Sequence, residues 1–376
     1  MKATRWAVLI LCFALAVPVQ AAEPKSALLM DAATGTILYE SNAHEALAPA
    51  SVTKVMTMLL IMEAIDSGRI GWEDTVTASE AAAAKGGSQV YLKVGETMTV
   101  SDMVKSIAVS SANDCACAMA EHLAGSEEAF VEWMNRRAAE LGMNDTHFVN
   151  CTGLDDDPSA KDHRTSAHDI AVMSRELLVN HPDIKNFTTI WMDTIRGGAF
   201  GLSNTNKMVR YYPGCTGLKT GFTSGAGYCL SASALRDGLE LIAVVMGSET
   251  SQDRFAACKS MLDQGFASYA LYTPTIPENT VVPVVLGQAD TVTAVPAQLP
   301  QLLVEKSKQG SITTEITLAP SADAPVAPGQ NLGTLTIRSG EEVLAEVALV
   351  AQTEVSRLTW PQVTVRVLRQ VAMAAK

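Results

Sequence analysis

The chain has 376 residues, 48% of them hydrophobic and only 5% aromatic, and a formal net charge of -12. That length accommodates two domains and a sizeable core. The acidic balance argues against a nucleic-acid partner, because polyphosphate repels such a surface.

Lys2 and Arg5 precede an apolar run from Trp6 to Val19, and Ala21-Ala22 offers small residues for cleavage. This is the pattern of a secretory signal peptide over residues 1–22, too short and wrongly flanked for a permanent span. No later segment reaches transmembrane length. The mature chain is therefore expected to be secreted across the cytoplasmic membrane.

Of seven cysteines, Cys12 lies in the leader, and Cys115, Cys117, Cys151, Cys215, Cys229 and Cys258 remain. An even number in a secreted chain permits disulfides. However, Cys115 and Cys117 would point to opposite faces of a helix, and the domain is too large to need staples. Mostly free, buried thiols are expected. Neither the cysteines nor the six histidines show metal-ligand spacing, so no metal and no cofactor are expected. His163 and His168 read as a loop residue and a helix-start residue.

Taken in order, Ser26 to Glu40 reads as a hairpin turning at Ala33-Thr34-Gly35. After Pro49, a helix carrying Ser51 runs to about Asp66, with Val55, Met58, Leu59 and Met62 at helical spacing. Thr75 to Thr99 reads as short strands and loops. Ser101 is the expected cap of a helix that breaks near Ser110-Ser111-Ala112-Asn113-Asp114. Helices over Cys115 to Leu123 and Ser126 to Leu141 follow. The acidic loop Asn150 to Pro158 lacks calcium-loop spacing and reads as a solvated turn. Thr165 or Ser166 caps the next helix, which runs through Val179. Strands over Gly227 to Leu235 and Leu239 to Met246 flank an Asp237-Gly238 turn, and a helix runs from Ser251 to about Tyr272. Strands, then helices, then strands argue an antiparallel sheet with segregated helices, an α+β domain over residues 23–275. Pro274 and Pro277 mark a boundary. Val- and Thr-rich alternation then predicts a small all-β domain over 276–359, and an amphipathic helix occupies 360–376.

Ser51 and Lys54 share one helix face a turn apart. A serine hydroxyl needs a base to become a nucleophile, and a lysine of lowered pKa can be that base. Ser-x-x-Lys alone is a weak motif. Its weight grows with Ser111-Ala112-Asn113 at a helix-to-helix turn and Lys219-Thr220-Gly221 on a strand edge. In this order the three motifs resemble those of the serine penicillin-recognising enzymes. Ala48 to Lys54, Ser110 to Asp114, Asn150 to Leu154 and Gly217 to Gly221 resemble the low-molecular-mass D-alanyl-D-alanine carboxypeptidases over about residues 26–272, and Leu177 to Tyr269 is similar to their sporulation-associated DacF branch.

The resemblance implies a β-lactamase/transpeptidase-like fold and a peptidoglycan stem peptide ending in D-Ala-D-Ala as substrate, with β-lactam antibiotics acylating the same site. It implies that Ser51 attacks the penultimate carbonyl and that Lys54 takes its proton, Lys219 helping to keep Lys54 neutral by like-charge repulsion. Ser111 would relay the proton to the leaving amine, and Asn113 would hold a substrate amide. Lys219, Thr220 and Arg254 would bind the terminal carboxylate. The N–H groups of Ser51 and Phe222 would form the oxyanion hole, and Gly221 would admit close approach of the substrate. Phe222 departs from the His that many members carry there.

A β-lactamase reading would need a deacylating Glu. Glu176-Leu177-Leu178-Val179-Asn180 has the wrong spacing and sits in a predicted helix. On the last helix, Val363, Val367, Leu368, Val371 and Ala372 fall opposite Arg366, Arg369, Gln370 and Lys376. Such a helix either lies in a membrane interface, as the family commonly does, or packs back on the β domain.

Overall fold

The computed structural model describes residues 23–156, 158–276 and 280–374. The leader expected over 1–22 lies outside the described residues, as do Asp157, Pro277 and Lys376.

The first domain is built on a five-stranded antiparallel sheet. Its order across the sheet is Ile37–Ser41, Ser26–Asp31, Leu239–Ser248, Gly227–Arg236, Cys215–Thr223. The expected hairpins at both ends of the domain form, and the later one closes the sheet by pairing Leu239–Ser248 with Ser26–Asp31. Leu239–Ser248 is an unbroken apolar run because both its faces are covered. Ile242, Val244 and Met246 join the core of the helical body, whereas Leu241, Ala243 and Val245 pack on the helix Ser251–Ser268. Gly265 lets that helix settle closely, since a Cβ there would lie 2.6 Å from Leu241 Cδ1 and 2.9 Å from Leu29 Cδ2.

The chain between the two hairpins forms the helical body. Lys54–Asp66 is its central helix, and every residue from Lys54 to Met62 is buried. The spacing of Val55, Met58, Leu59 and Met62 marks only one stripe of it; Met56, Leu60 and Ile61 are buried as well, as in a helix surrounded on all sides. Around it lie Val100–Ser110, Asn113–Ala124, Glu127–Glu140 and Ala167–Asn180. Glu176 to Asn180 falls within the last of these, as expected.

Three local expectations are corrected. The helix after Thr99 is capped by Thr99, whose hydroxyl accepts from Asp102 N, so Ser101 lies inside the first turn. Both residues are competent caps, and the strand Thr97–Thr99 leaves Thr99 extended where a cap must be. The helix from Ser251 ends at Ser268, and Tyr269–Tyr272 becomes a strand paired with Leu302–Glu305 of the next domain. Among the described residues of the Asn150 loop, Asp155, Asp156 and Pro158 are exposed, whereas Cys151, Thr152 and Gly153 are buried.

The second domain is all-β, as expected. A six-stranded sheet with a core of Val282, Val292, Leu335, Ile337 and Leu349 makes up most of it. The helix Trp360–Ala374 follows. It meets the sheet domain through Arg366, which donates to Gly287 O and pairs with Asp290, while Val367, Leu368, Val371 and Met373 are exposed. Among the described residues no helix is long and apolar enough to cross a membrane.

Candidate active site

The three motif segments come together where the edge strand Cys215–Thr223 meets the turn Ala50–Thr53 at the head of the central helix. Ser51 sits in this 3-10 turn, and Lys54 Nζ lies 2.8 Å from Ser51 Oγ. Lys54 Nζ also donates to Thr152 O at 2.8 Å. The Asn150 segment therefore fixes the amine: Asn150 Oδ1 accepts from the N–H groups of Thr152 and Gly153 and shapes the turn that presents Thr152 O. Neither Thr152 nor Gly153 was assigned a site role from the sequence. Their signal lay in the quoted segment Asn150 to Leu154, whose first half is not a surface turn.

Lys54 is fully buried, and its pKa is lowered to about 7 by that burial, against the opposing pull of Cys151 and Asp114. The cause differs from the expected repulsion by Lys219. That repulsion acts on Lys219 itself, which burial first, then Lys54 and Arg254, hold well below the usual amine range. Lys219 Nζ donates to Thr220 O at 2.9 Å, and Thr220 Oγ1 donates to Thr205 Oγ1 at 2.7 Å. Arg254, also buried, donates through Nη1 to Gly221 O at 2.9 Å and to Cys229 O at 3.2 Å, under the rings of Tyr228 and Phe255. The hydrogen bonds of these three basic side chains go to a hydroxyl or to carbonyls rather than to carboxylates. The Arg254 guanidinium keeps its charge, and a buried guanidinium without a carboxylate partner favours an incoming anion.

On the facing side, Ser111 ends the helix Val100–Ser110 in the left-handed region, with φ 62° and ψ 31°. After that sharp break the next helix begins at Asn113, which is buried. Asn113 Nδ2 donates to Gly86 O at 2.7 Å, while its Oδ1 is buried with no partner among the described residues. An unpartnered buried acceptor has capacity for one more N–H donor. Asp114 holds the neighbouring loop in place by accepting from Val90 N, Leu92 N and Cys115 N.

Gly221 is required for a reason other than the one expected. A Cβ there would lie 2.6 Å from Pro49 O and 3.1 Å from Ser51 N, so the glycine admits the protein's own nucleophile turn to the strand edge. Phe222 projects outward, 53% exposed, and stacks on Tyr228 at 4.2 Å. His163 lies in a loop, as expected. It is buried, with Nε2 2.8 Å from Thr53 Oγ1 and Nδ1 accepting from Val149 N at 3.0 Å. Periodicity and spacing give no sign of such a contact.

The six cysteines among the described residues are free thiols, and burial pushes that of Cys229 up to about 11. Among the described residues Glu63, Glu176 and His181 lie close enough to share an ion. Arg137 already occupies that ground, however, with Nε on Glu63 and Nη2 on Glu176, both at 2.7 Å.

Residues 14–250 match the D-alanyl-D-alanine carboxypeptidase family, and residues 272–357 match the C-terminal domain of penicillin-binding protein 5. The chain is 43% identical over 341 residues to D-alanyl-D-alanine carboxypeptidase DacF of Bacillus subtilis, covering 89% of this chain and 86% of that one. Its fold is similar to penicillin binding protein 5 from Haemophilus influenzae, with TM-score 0.73 and 29% identity over 90% of this chain and 99% of that one. The first domain is also similar to penicillin-binding protein D2 from Listeria monocytogenes in its ampicillin-bound form, with TM-score 0.59 and 31% identity over 65% of this chain and 97% of that one.

The close approach at Gly221 yields a direct test. Gly221→Ala must push the strand edge off the Ser51 turn, costing about 1–3 kcal/mol of stability by overpacking. It should also slow covalent acylation of Ser51 roughly a hundredfold, because displacement of aligned groups is costly to rate. Thermal denaturation and stopped-flow acylation measure the two effects, and an unchanged acylation rate would remove the strand edge from the site.

Proposed function

The chain belongs to the D-alanyl-D-alanine carboxypeptidase family, serine hydrolases of peptidoglycan metabolism, and from that premise we propose how its own residues carry the reaction. The stem peptide's terminal carboxylate sits against Lys219 and Thr220, with Arg254 adding positive potential behind them. The unpartnered Oδ1 of Asn113 accepts a substrate N–H. Neutral Lys54 takes the Ser51 proton as Oγ attacks the penultimate D-Ala carbonyl. The resulting oxyanion is held by the N–H groups of Ser51 and Phe222, each worth about 3–4 kcal/mol in such sites. Ser111 passes the proton to the leaving amine, D-alanine departs, and water hydrolyses the acyl-enzyme. The observation that carries this reading is the contact of 2.8 Å between Ser51 Oγ and an amine whose pKa lies near 7. A β-lactam presents a carboxylate beside a strained acyl carbon, so the same groups support its covalent capture; the ampicillin-bound form of the Listeria relative supports this.

In this reading the leader exports the enzyme and the C-terminal helix holds it to the outer face of the membrane, with the β domain as a stalk toward the wall. Leu368 and Val371 are exposed, at 64% and 62%, while Arg366 is the group turned to the β domain. That arrangement supports interfacial docking over packing back on the sheet.

Ser51→Ala is expected to abolish both D-alanine release from a D-Ala-D-Ala peptide and the penicillin adduct seen by mass spectrometry. In the unaltered enzyme acylation should rise about tenfold per pH unit below pH 7 and level off above it, as Lys54 loses its proton. A persistent adduct in the variant, or a flat profile, contradicts the assignment. Ending the chain after Trp360 should release the enzyme from membranes in fractionation with activity on soluble peptide intact. Equal partitioning of the two forms would exclude the helix as the anchor.

A further inference from the structure

The oxyanion reading leaves one question: what holds the Ser51 N–H in place. Ser51 shares a trans peptide with Ala50, so its N–H points opposite the Ala50 carbonyl. Whatever fixes Ala50 O therefore aims Ser51 N–H. Ala50 is itself in an unfavourable conformation, with φ 47° in the left-handed region that L-residues rarely adopt. Something must hold it there.

Thr53 Oγ1 lies 2.9 Å from Ala50 O and donates to it, all within the buried interior. A hydroxyl has one proton. With that proton on Ala50 O, Thr53 Oγ1 must act as acceptor toward His163 Nε2, 2.8 Å away. The other ring nitrogen accepts from Val149 N at 3.0 Å. Both constraints select the same neutral tautomer, with the proton on Nε2. The bonds thus run in one direction, from Val149 N–H to the ring, from the ring to Thr53, and from Thr53 to Ala50 O. Burial, with His147 and Lys54 as the nearby titratable groups, holds the His163 pKa down to about 4, so the ring stays neutral. Gly153 closes the other side of Ala50 O, where a Cβ would lie 1.8 Å away. Ser51 N itself faces the strand edge at Gly221.

We propose that His163 is a positioning residue for catalysis: acting through Thr53, it fixes the Ala50–Ser51 peptide so that the Ser51 N–H faces the reacting carbonyl. Arg254 holds the second oxyanion peptide in the same manner, since its bond to Gly221 O turns the Phe222 N–H the opposite way. The two donors are thus each set by a side chain on the carbonyl of the same peptide. This inference rests on Ser51 being the nucleophile.

Rates of acylation by penicillin and of D-alanine release, split into saturating rate and KM, test it. His163→Ala and Thr53→Val should each lower the saturating rate roughly ten- to a hundredfold with KM little changed, because a misaimed donor acts on the transition state. His163→Gln should restore most of the rate, since a neutral amide offers one acceptor and one donor as the ring does. The double variant should be no slower than either single one. Should His163→Ala not fold, Thr53→Val and His163→Gln decide the matter. Wild-type saturating rates in Thr53→Val or His163→Ala, equal losses for Ala and Gln, or additive losses would overturn the proposal. Absence of any Ser51 adduct in the unaltered enzyme would instead overturn the nucleophile assignment beneath it.

Discussion

The site depends on a lysine buried against a serine. An ammonium group taken out of water loses hydration that no single hydrogen bond replaces, so burial favours the neutral amine. Lys54 reaches a pKa of about 7 this way. Its two contacts are Ser51 Oγ, which gives up a proton in the proposed reaction, and Thr152 O, which holds the amine still. The base is thus made by the packing of a helix enclosed on all sides, and the same packing makes it rigid.

The rest of the first domain serves to bring a strand edge against that helix head. The sheet is buried on both faces except at its margin, where Cys215–Thr223 is an edge strand with one side open. Exposed strand edges are a liability in most proteins; here the edge lies along the Ser51 turn. Gly221 permits the approach, and Arg254 lies buried behind it, bonded to Gly221 O and Cys229 O. In the proposed reaction a substrate carboxylate arrives beside that guanidinium, which ties affinity to the feature that defines a peptide's end. In this family such an end is the terminal D-alanine.

The parts that were legible in the sequence are those whose chemistry is local. Ser51 and Lys54 are three positions apart on a helix, and the Asp237-Gly238 turn dictates its own hairpin. That Cys115 and Cys117 do not pair with each other follows from helix geometry. What escaped was set by packing between distant segments. Thr53 and His163 are 110 positions apart, and nothing in the neighbourhood of either announces the other. Tyr269–Tyr272 continues an apolar pattern compatible with a helix, but a partner strand at Leu302–Glu305 claims it. The Asn150 loop carries three consecutive aspartates, and their charge hid the buried Cys151, Thr152 and Gly153 beside them. Gly221 reads from the sequence as a position of close approach, and Pro49 O and Ser51 N are groups that approach it, from a distant segment of the chain that local pattern does not reveal.

The account stands on Lys54 being neutral near physiological pH before any substrate binds. NMR titration of the protein carrying 13C-labelled lysine, with the Lys54 signal assigned by its loss in Lys54→Met, measures this directly. The account predicts a midpoint near pH 7 for Lys54, far below the roughly 10.4 of a free lysine side chain. A Lys54 midpoint near that free value would contradict it.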